Sequence, residues 1–509
     1  MIKVIEGYTA YGTQGLVVSS NPIASYLGLR VLEETGNIVD AAITTSLVLS
    51  VVESYIAGIG GDLAVLVKKN GNIKAYLGVG KSPRKLSLEL IYSMGYNSIP
   101  DYGPLSILVP GMIDVIRLLH KDYSKTDLKD LVAPAIRIAR HGIPADHKLI
   151  RYLKEMYTHI SRDPQTIRAY MYQGRIPNIG DKIGPEFLAE TLEKIAEDPR
   201  RFYEGDIAEL IVKHVKRKGG VLELEDLASY HAIKTEPLIL ELNGKIKVYE
   251  IPPPSQGVLV QASLLLMSRI LEEHRPRLYS KEYVRFVAEV YRKTYSLRDT
   301  LLENISKIDS IIDDSVDDVK AKINIPKHGS TGFIIASING DVIVGTQSLY
   351  TPFGSGITVR KTGITLNAGT ALFSPAGINK LEPSKHPITT LSSPIIEDRE
   401  HNFTIGLAGR GGGFKQQYYS QIILKHLFYK QSLSEAIGSP RLRYRSGLIV
   451  DVEEGYEDLM QLDTWSYHIH IYAYPSDSLG VINAARVLYS KHIVEAVSDP
   501  RDSSGIALI

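Results

Sequence analysis

The most distinctive segment of the chain is Gly329-Ser330-Thr331-Gly332-Phe333, which follows a loop-like stretch and opens an apolar strand. A serine hydroxyl here can attack the preceding peptide carbonyl. An N-to-O acyl shift and ester hydrolysis would then leave Ser330 as a new chain start. The new α-amino group, with an ordinary pKa near ~7.7–8.0, can serve as general base for its own hydroxyl. Glycine before the serine tolerates a strained scissile peptide. Taken alone, however, such a run is more often a plain turn.

The chain around this segment alternates between strand and helix patterns. Two hairpins are predicted, each around an Asn-Gly turn. They comprise residues 63–69 with 72–79, and residues 332–338 with 341–349. Further strands are predicted near Ile364 and from Phe403. Residues 305–327 are interpreted as an acidic, solvated linker rather than a metal site.

Helices are indicated by caps and by helical periodicity. Asn21 and Pro22 form an N-cap and first-turn pair for a helix that reaches Glu34. The region from about Thr126 to Thr300 is mostly helical by period. The further predicted helices are 38–52, which is apolar nearly all round, 186–196, 206–217, 281–302 and 414–427.

Composition excludes several classes of function. Lys and Arg number 58 against 57 Asp and Glu, without a basic stripe, so neither nucleic acid nor a membrane surface is expected as a partner. The chain has no cysteine, which excludes disulfides and thiolate chemistry. The N-terminus lacks a signal-peptide pattern and no apolar run is long enough to span a bilayer, so we expect a cytoplasmic location.

A series of motifs, in one order along nearly the whole chain, resembles the γ-glutamyltranspeptidase family of N-terminal-nucleophile hydrolases. The motifs are Gly15-Leu-Val-Val-Ser-Ser-Asn-Pro-Ile-Ala-Ser25, Gly36-Asn-Ile-Val-Asp-Ala-Ala42, Gly58-Ile-Gly-Gly61, Val109-Pro-Gly111, Ala133-Pro-Ala135, Phe202-Tyr-Glu-Gly205, Leu224-Glu-Asp-Leu227, Pro252-Pro-Pro-Ser255, Phe353-Gly-Ser-Gly356, Gly409-Arg-Gly-Gly412, Ser439-Pro-Arg441 and Asp499-Pro-Arg501.

The resemblance implies an α+β fold, the four-layer αββα sandwich. Residues 1–329 would form the large-subunit segment and residues 330–509 the small one, interleaved in one fold. Position by position, Ser330 takes the place of the nucleophilic threonine, and Ser348 that of a second threonine that hydrogen-bonds it. Gly411 and Gly412 match the glycines whose N–H groups form the oxyanion hole. Thr389 and Thr390 stand where two serines bind the substrate's α-carboxylate.

The chain departs from the family at the positions that recognise substrate. Val79 stands where the family has an arginine for the α-carboxylate, and Lys81 is the nearest cation that could replace it as a point charge. Tyr350 replaces an asparagine. Leu372 replaces an aspartate that would hold the α-amino group, and a buried ammonium without its carboxylate is costly.

Three functions are compatible with these residues. The first is a self-cleaving γ-glutamyltransferase-like enzyme that forms acyl-Ser330 from γ-glutamyl amides such as glutathione and passes the acyl group to water or an amino acid. The second is a relative acting on another small amide. The third is an unprocessed, non-catalytic homologue. The mechanism needs no cofactor or metal. We expect the two self-cleaved chains to remain associated.

Two other features have competing interpretations. His468 and His470 alternate as on one face of a strand, but no third ligand accompanies them, so a metal site is not expected. Arg410 lies within the glycine cluster before a helix, where it could bind an anionic substrate group or serve the structure. This cluster lacks the Lys-Ser/Thr ending of a phosphate loop.

Overall fold

A computed structural model describes residues 6–313, 329–457 and 467–509 of the 509-residue chain. The strands in these parts are β1 (Tyr8–Gly12), β2 (Gly15–Ser19), β3 (Asp62–Lys69), β4 (Asn72–Gly78), β5 (Ile143–Pro144), β6 (Lys182–Ile183), β7 (Ile233–Thr235), β8 (Leu238–Leu242), β9 (Ile246–Glu250), β10 (Gly329–Ser337), β11 (Val342–Tyr350), β12 (Thr358–Val359), β13 (Ile364–Thr365), β14 (Ile395–Asp398), β15 (Phe403–Arg410), β16 (Leu442–Ser446), β17 (Ile449–Glu453), β18 (His468–Tyr472), β19 (Val481–Leu488), β20 (Ile493–Ser498) and β21 (Gly505–Leu508).

The α-helices flank these strands in both sequence and space. They are α1 (Pro22–Thr35), α2 (Ile38–Val52), α3 (Ser54–Ala57), α4 (Leu88–Ser93), α5 (Met112–Tyr123), α6 (Leu128–His141), α7 (His147–Ile160), α8 (Pro164–Tyr170), α9 (Leu188–Glu197), α10 (Arg201–Glu204), α11 (Asp206–Arg217), α12 (Leu224–Ala228), α13 (Val258–Glu273), α14 (Lys281–Ser296), α15 (Arg298–Glu303), α16 (Ile308–Asp313), α17 (Lys415–Leu427) and α18 (Leu433–Gly438).

Two seven-stranded antiparallel sheets form the centre of the molecule. One has the order β21-β2-β10-β11-β3-β4-β7 and contains both predicted hairpins, which are confirmed. The other has the order β1-β20-β19-β15-β14-β9-β8. Strand β10 is therefore near the middle of its sheet, where both neighbours restrain its backbone.

Apolar side chains alternate between the two faces of each sheet, so each sheet buries both faces. Between the sheets, Ile334 and Val344 of the first sheet pack with Ala408 and Ala485 of the second. On the outer face of the first sheet, residues such as Ile335 pack with the helix group that includes α1, α2, α5 and α6. The outer face of the second sheet packs with α13, α14, α17 and α18. These four layers confirm the αββα sandwich.

The local signals of the first two helices are also confirmed. Asn21 caps α1 by accepting a hydrogen bond from the N–H of Ile23, and Gly36 ends the helix with a left-handed φ of 64°. Helix α2 is buried on all sides, as its continuous apolar sequence predicts.

Three local predictions need correction. The helix predicted over 281–302 is interrupted at Leu297, which separates α14 from α15. The strand near Ile364 has only two residues. The region 126–300, predicted to be mostly helical, also contains the hairpin β8–β9. The sequence does carry a signal for its turn, Asn243-Gly244. In addition, the acidic linker predicted over 305–327 lies mostly outside the described residues, and its described part is instead helical, with Ile308, Ile311 and Ile312 buried in the core.

Candidate active site

Ser330 lies at the start of β10, directly opposite Ser348 on β11. Its Oγ donates a hydrogen bond of 3.0 Å to Ser348 Oγ. The pairing of the two strands shifts register between Gly329 and Ser330, as at a β-bulge. Ser330 is 8% exposed and Ser348 only 1%. The structure thus brings together the two hydroxyls that the sequence analysis places in one site.

Tyr350 completes the surroundings of this pair. Its backbone N–H donates to Ser348 Oγ at 2.7 Å, so that oxygen accepts hydrogen bonds from both Ser330 and Tyr350. The phenol of Tyr350 donates to Asp62 Oδ2. Asp62 lies on β3 opposite Ser348, which places Ser330, Ser348 and Asp62 in one row across three strands.

Asp62 is a residue of this site that the sequence analysis missed. Its carboxylate also accepts hydrogen bonds from the N–H groups of Gly80 and Gly111, both at 2.9 Å. Burial raises the pKa of Asp62 to about 7, against the opposing effect of these three donors. Its position directly after Gly58-Ile-Gly-Gly61 was the available signal.

Gly411 and Gly412 lie in the loop after β15, near the beginning of β10. The two strands approach closely there, since a Cβ on Gly332 would lie 2.5 Å from the backbone nitrogen of Gly409. Gly412 has a left-handed φ of 58°, which favours glycine. A Cβ on Gly411 would meet the Tyr418 ring at 2.8 Å. The loop thus lies at the same end of the sheets as Ser330, and its role as an oxyanion hole stays a prediction.

Thr389 and Thr390 lie just before β14 on the opposite sheet. Thr389 is fully buried, and its backbone bonds to the segment at Pro254 and Gln256. Burial and the Asp62 charge raise the pKa of the Tyr350 phenol. The Thr389 hydroxyl lies close enough to that phenol to lower its pKa in part. Thr390 is 8% exposed, and its carbonyl accepts a 3.2 Å bond from Gln416. Thr389 therefore joins the cluster around Tyr350.

The segment Val79 to Lys81 contributes backbone to this cluster. Val79 is fully buried between the sheets, and Gly80 donates to Asp62. Lys81 is half-buried and lies beside His386, whose pKa is lowered by burial and further by the Lys81 charge. Leu372 is buried as well. Val79, Tyr350 and Leu372 therefore contribute no carboxylate or guanidinium to this cluster.

The Thr331 side chain belongs to a second network. Its hydroxyl is hydrogen-bonded to Ser20, which donates to Glu53 Oε2 at 2.7 Å. Lys148 pairs with the same carboxylate at 2.6 Å. Desolvation raises the pKa of Glu53, but Lys148 and the hydroxyl donors outweigh it and leave that pKa below its ordinary value. The residue after Ser330 is thus anchored to the first helix layer by buried charge.

A second missed feature is two buried ionisable residues, Lys415 and Glu250, close enough to affect each other's pKa. Lys415 donates to Thr346 Oγ1 at 3.1 Å, and Ser392 donates to both carboxylate oxygens of Glu250. Burial lowers the pKa of Lys415 to about 7 and raises that of Glu250 to about 8. Thr346 lies two residues before Ser348 on β11, so Lys415 reaches the strand that carries Ser348.

Arg410 has structural partners in this chain. Its guanidinium bonds to Asp502 at 2.8 Å and to the Tyr152 hydroxyl at 3.3 Å. It also lines a pocket of about 200 Å³ with Arg151 and Asp477. Of the two interpretations of Arg410, these contacts favour the structural one.

The described parts of the chain have neither a group of side chains suited to a metal ion nor a helix suited to cross a membrane. In residues 6–313, 329–457 and 467–509, no three His, Asp or Glu side chains are grouped to hold a metal ion. His468 and His470 lie on β18, and both are exposed. Across the same ranges, no helix has the length and apolar character that crossing a membrane requires.

The sequence was compared with protein families, curated proteins and solved structures. The gamma-glutamyltranspeptidase family model matches residues 24–509. The chain belongs to the gamma-glutamyltranspeptidase family. Among its relatives, the glutathione hydrolase-like YwrD proenzyme of Bacillus subtilis (strain 168) is 31% identical over 453 residues, which cover 84% of this chain and 85% of the relative. The glutathione hydrolase proenzyme of Escherichia coli (strain K12) is 26% identical over 475 residues, covering 85% and 81%.

Solved structures with a similar fold include an acylase and a gamma-glutamyltranspeptidase. The chain superposes on the cephalosporin acylase from Bacillus halodurans with a TM-score of 0.88, covering 100% of this chain and 98% of that one. The identity is 24%, so this likeness supports the fold and leaves the substrate open. The gamma-glutamyltranspeptidase of Helicobacter pylori is 27% identical, with a TM-score of 0.53 over 62% of this chain.

Proposed function

We propose that this gamma-glutamyltranspeptidase-family chain is a self-cleaving amidohydrolase whose mature nucleophile is Ser330. The observation that carries the proposal is the buried hydrogen bond between Ser330 Oγ and Ser348 Oγ at the start of a central strand. This bond holds the Ser330 hydroxyl in a defined direction beside the glycine loop. A non-catalytic homologue has no need of such an arrangement.

Self-cleavage would begin with attack of Ser330 Oγ on the Gly329 carbonyl. The new C–O bond replaces the Gly329–Ser330 C–N bond, and the hydroxyl proton is transferred to the departing nitrogen. Water then hydrolyses the ester, leaving a carboxylate on Gly329 and a free α-amine on Ser330. Residues 1–329 and 330–509 would become two chains that together form one fold, because both segments contribute strands to both sheets.

Turnover would use the same hydroxyl with its new α-amine as the base. The amine accepts the Oγ proton while Oγ bonds to the substrate carbonyl, and the N–H groups of Gly411 and Gly412 stabilise the oxyanion. The amide C–N bond breaks, and the leaving amine takes the proton. Water or an amino acid then attacks the acyl-Ser330 ester and regenerates the enzyme.

γ-Glutamyl amides such as glutathione are the first candidate substrates. Two relatives are named as a glutathione hydrolase or a protein like one. Thr389, Thr390 and Lys81 would bind the α-carboxylate in this proposal. The Thr389 hydroxyl is at the cluster beside Ser348, and Lys81 follows Gly80, which contacts that cluster.

Another small amide is the second candidate substrate, and the position of the Tyr350 side chain favours it. The buried Tyr350 side chain fills the space beside Ser348, and the only polar atom of its ring is bonded to Asp62. Val79 and Leu372 add apolar surface where a charged amino-acid headgroup would need partners. Such a site favours an acyl group without the α-amino and α-carboxylate pair.

Intact mass, N-terminal sequencing and an anilide panel test both parts of the proposal. We expect purified protein to yield fragments 1–329 and 330–509, the second beginning Ser330-Thr331-Gly332. Ser330→Ala should abolish cleavage and turnover, whereas Ser330→Thr, which keeps a hydroxyl, should retain both. Release of chromophore from γ-glutamyl or from simple acyl anilides separates the two substrate classes. Turnover by Ser330→Ala would exclude Ser330 as the nucleophile.

A further inference from the structure

We infer that Tyr350 and Asp62 act together as positioning residues for the Ser330–Ser348 pair. The inference deepens the proposed function and rests on it, since it concerns how the nucleophile is oriented. It goes beyond the family resemblance, because both residues are assigned from their contacts in this chain.

Hydrogen bonds at the backbone and at the phenol of Tyr350 link the Ser330–Ser348 pair to Asp62. Ser330 Oγ donates to Ser348 Oγ, which also accepts from the Tyr350 N–H at 2.7 Å. The other end of Tyr350, its phenol, donates to Asp62 Oδ2. The direction in which Ser348 presents its oxygen to Ser330 therefore depends on where Tyr350 lies.

The backbone of Tyr350 needs support to remain in this position. Its φ is 73°, a left-handed conformation that is unfavourable for a residue with a Cβ. Glycine could adopt this conformation without cost, but glycine would have no phenol. The side chain is held in place by Asp62 and by close packing on Gly369, where a Cβ would lie 3.1 Å from the Tyr350 ring. The contacts of the ring thus stabilise the strained peptide that contacts Ser348.

Asp62 is a rigid anchor for the phenol. It is fully buried, and the N–H groups of Gly80 and Gly111 hold its two carboxylate oxygens from two separate loops. The titratable groups around it are the phenols of Tyr350, Tyr230 and Tyr203, each with its pKa raised chiefly by burial and further by the Asp62 charge. A carboxylate held in this way restricts the phenol to one position.

The test compares Tyr350→Phe with a matched control, Tyr76→Phe. Tyr76 is also fully buried in the same sheet and also donates its phenol to an aspartate, Asp122, at 2.7 Å, but on β4 away from Ser330. For Tyr350→Phe we expect slower self-cleavage and a kcat lower by about tenfold to a hundredfold, the effect of a slightly misplaced nucleophile. The KM should stay within about twofold. Tyr76→Phe should change neither rate.

Asp62→Asn and the double variant show whether the two residues act as a unit. Each single variant should lower kcat. The kcat of the double variant should be no lower than that of the less active single variant, since the same Tyr350–Asp62 contact is lost. Additive losses would overturn the coupling, as would Tyr350→Phe rates equal to those of Tyr76→Phe.

A structural readout separates this inference from the proposed function. In crystals of Tyr350→Phe, the Ser330 Oγ–Ser348 Oγ distance should lengthen beyond hydrogen-bonding range, while Tyr76→Phe keeps it. An unchanged distance would overturn the positioning role whether or not the protein is an enzyme. A lengthened distance in a protein that never cleaves or turns over an amide would support the positioning role and count against the proposed function alone.

Discussion

The nucleophile end of β10 and β11 and the surrounding recognition segments differ in how the family pattern is retained. At the nucleophile end, both hydroxyls are present and bonded to one another. In the predicted recognition segments, the resemblance places Val79, Tyr350 and Leu372 where the family has polar or charged residues, and all three are buried. The difference indicates that the chemistry and the choice of substrate are separable in this fold. The register of β10 and β11 positions the two hydroxyls for the chemistry. The choice of substrate depends on loops from distant parts of the chain.

Ser348→Ala tests the nucleophile end and, after Ser330→Ala, should have the largest effect. It removes the acceptor of the Ser330 Oγ hydrogen bond without altering the strand. We expect kcat to fall by about a hundredfold, comparable to the loss of one oriented catalytic hydrogen bond. The measurements are single-turnover rates and the time course of self-cleavage. Ser348→Thr restores the hydroxyl and should recover most of the rate, and a Ser348→Ala enzyme with a normal kcat would remove Ser348 from the mechanism.

Lys415→Met tests the buried interior next to β11, the strand that carries Ser348. The folded protein releases the Lys415 proton near pH 7, whereas the unfolded chain keeps it to pH ~10.4. The unfolded state therefore binds more protons in this range, and rising pH relieves the cost of burying the ammonium. Relative to Lys415→Met, wild-type stability should rise with pH above 7, by at most roughly 1.4 kcal/mol per pH unit.

Urea unfolding at pH 7, 8 and 9 measures this difference. Glu250 has a raised pKa, so the stability it contributes is lost as pH rises through about 8. The Lys415 charge lowers that pKa, so in Lys415→Met this loss should extend to higher pH, which acts in the same direction as the Lys415 effect. Lys85→Met, at an exposed lysine paired with Glu223, is the control and should show no pH-dependent difference. A stability gap that stays constant from pH 7 to 9 would show that Lys415 does not titrate there.

Lys81→Ala tests the recognition segments and should have the smallest effect. If Lys81 replaces the missing arginine as a point charge, its removal should raise the KM for γ-glutamyl anilides by about fivefold, the value of one partly exposed ion pair. The KM for uncharged acyl anilides should not change. Lys85→Ala, nearby and exposed, is the matched control. Equal KM values for Lys81→Ala and Lys85→Ala would place Lys81 outside the site.

Local structure could be predicted wherever a short signal acts on its own neighbours. The Asn-Gly turns place both hairpins, and the Asn21 cap and Gly36 place α1, because these effects operate within a few residues. The break at Leu297 and the β8–β9 hairpin within a mostly helical region were not predicted. Tertiary packing decides the structure at such places, because local periodicity does not indicate which segment pairs at the edge of a sheet.

Residue types in a fixed order identified the family, and they predicted the nucleophile, its partner hydroxyl and the glycine pair. Only the tertiary structure decided that Asp62 meets Tyr350, that Gly80 meets Asp62, and that Lys415 lies near Glu250. These partners are far apart in the chain, and the two layered sheets bring them together. Their pKa values likewise follow from burial, which residue order does not specify.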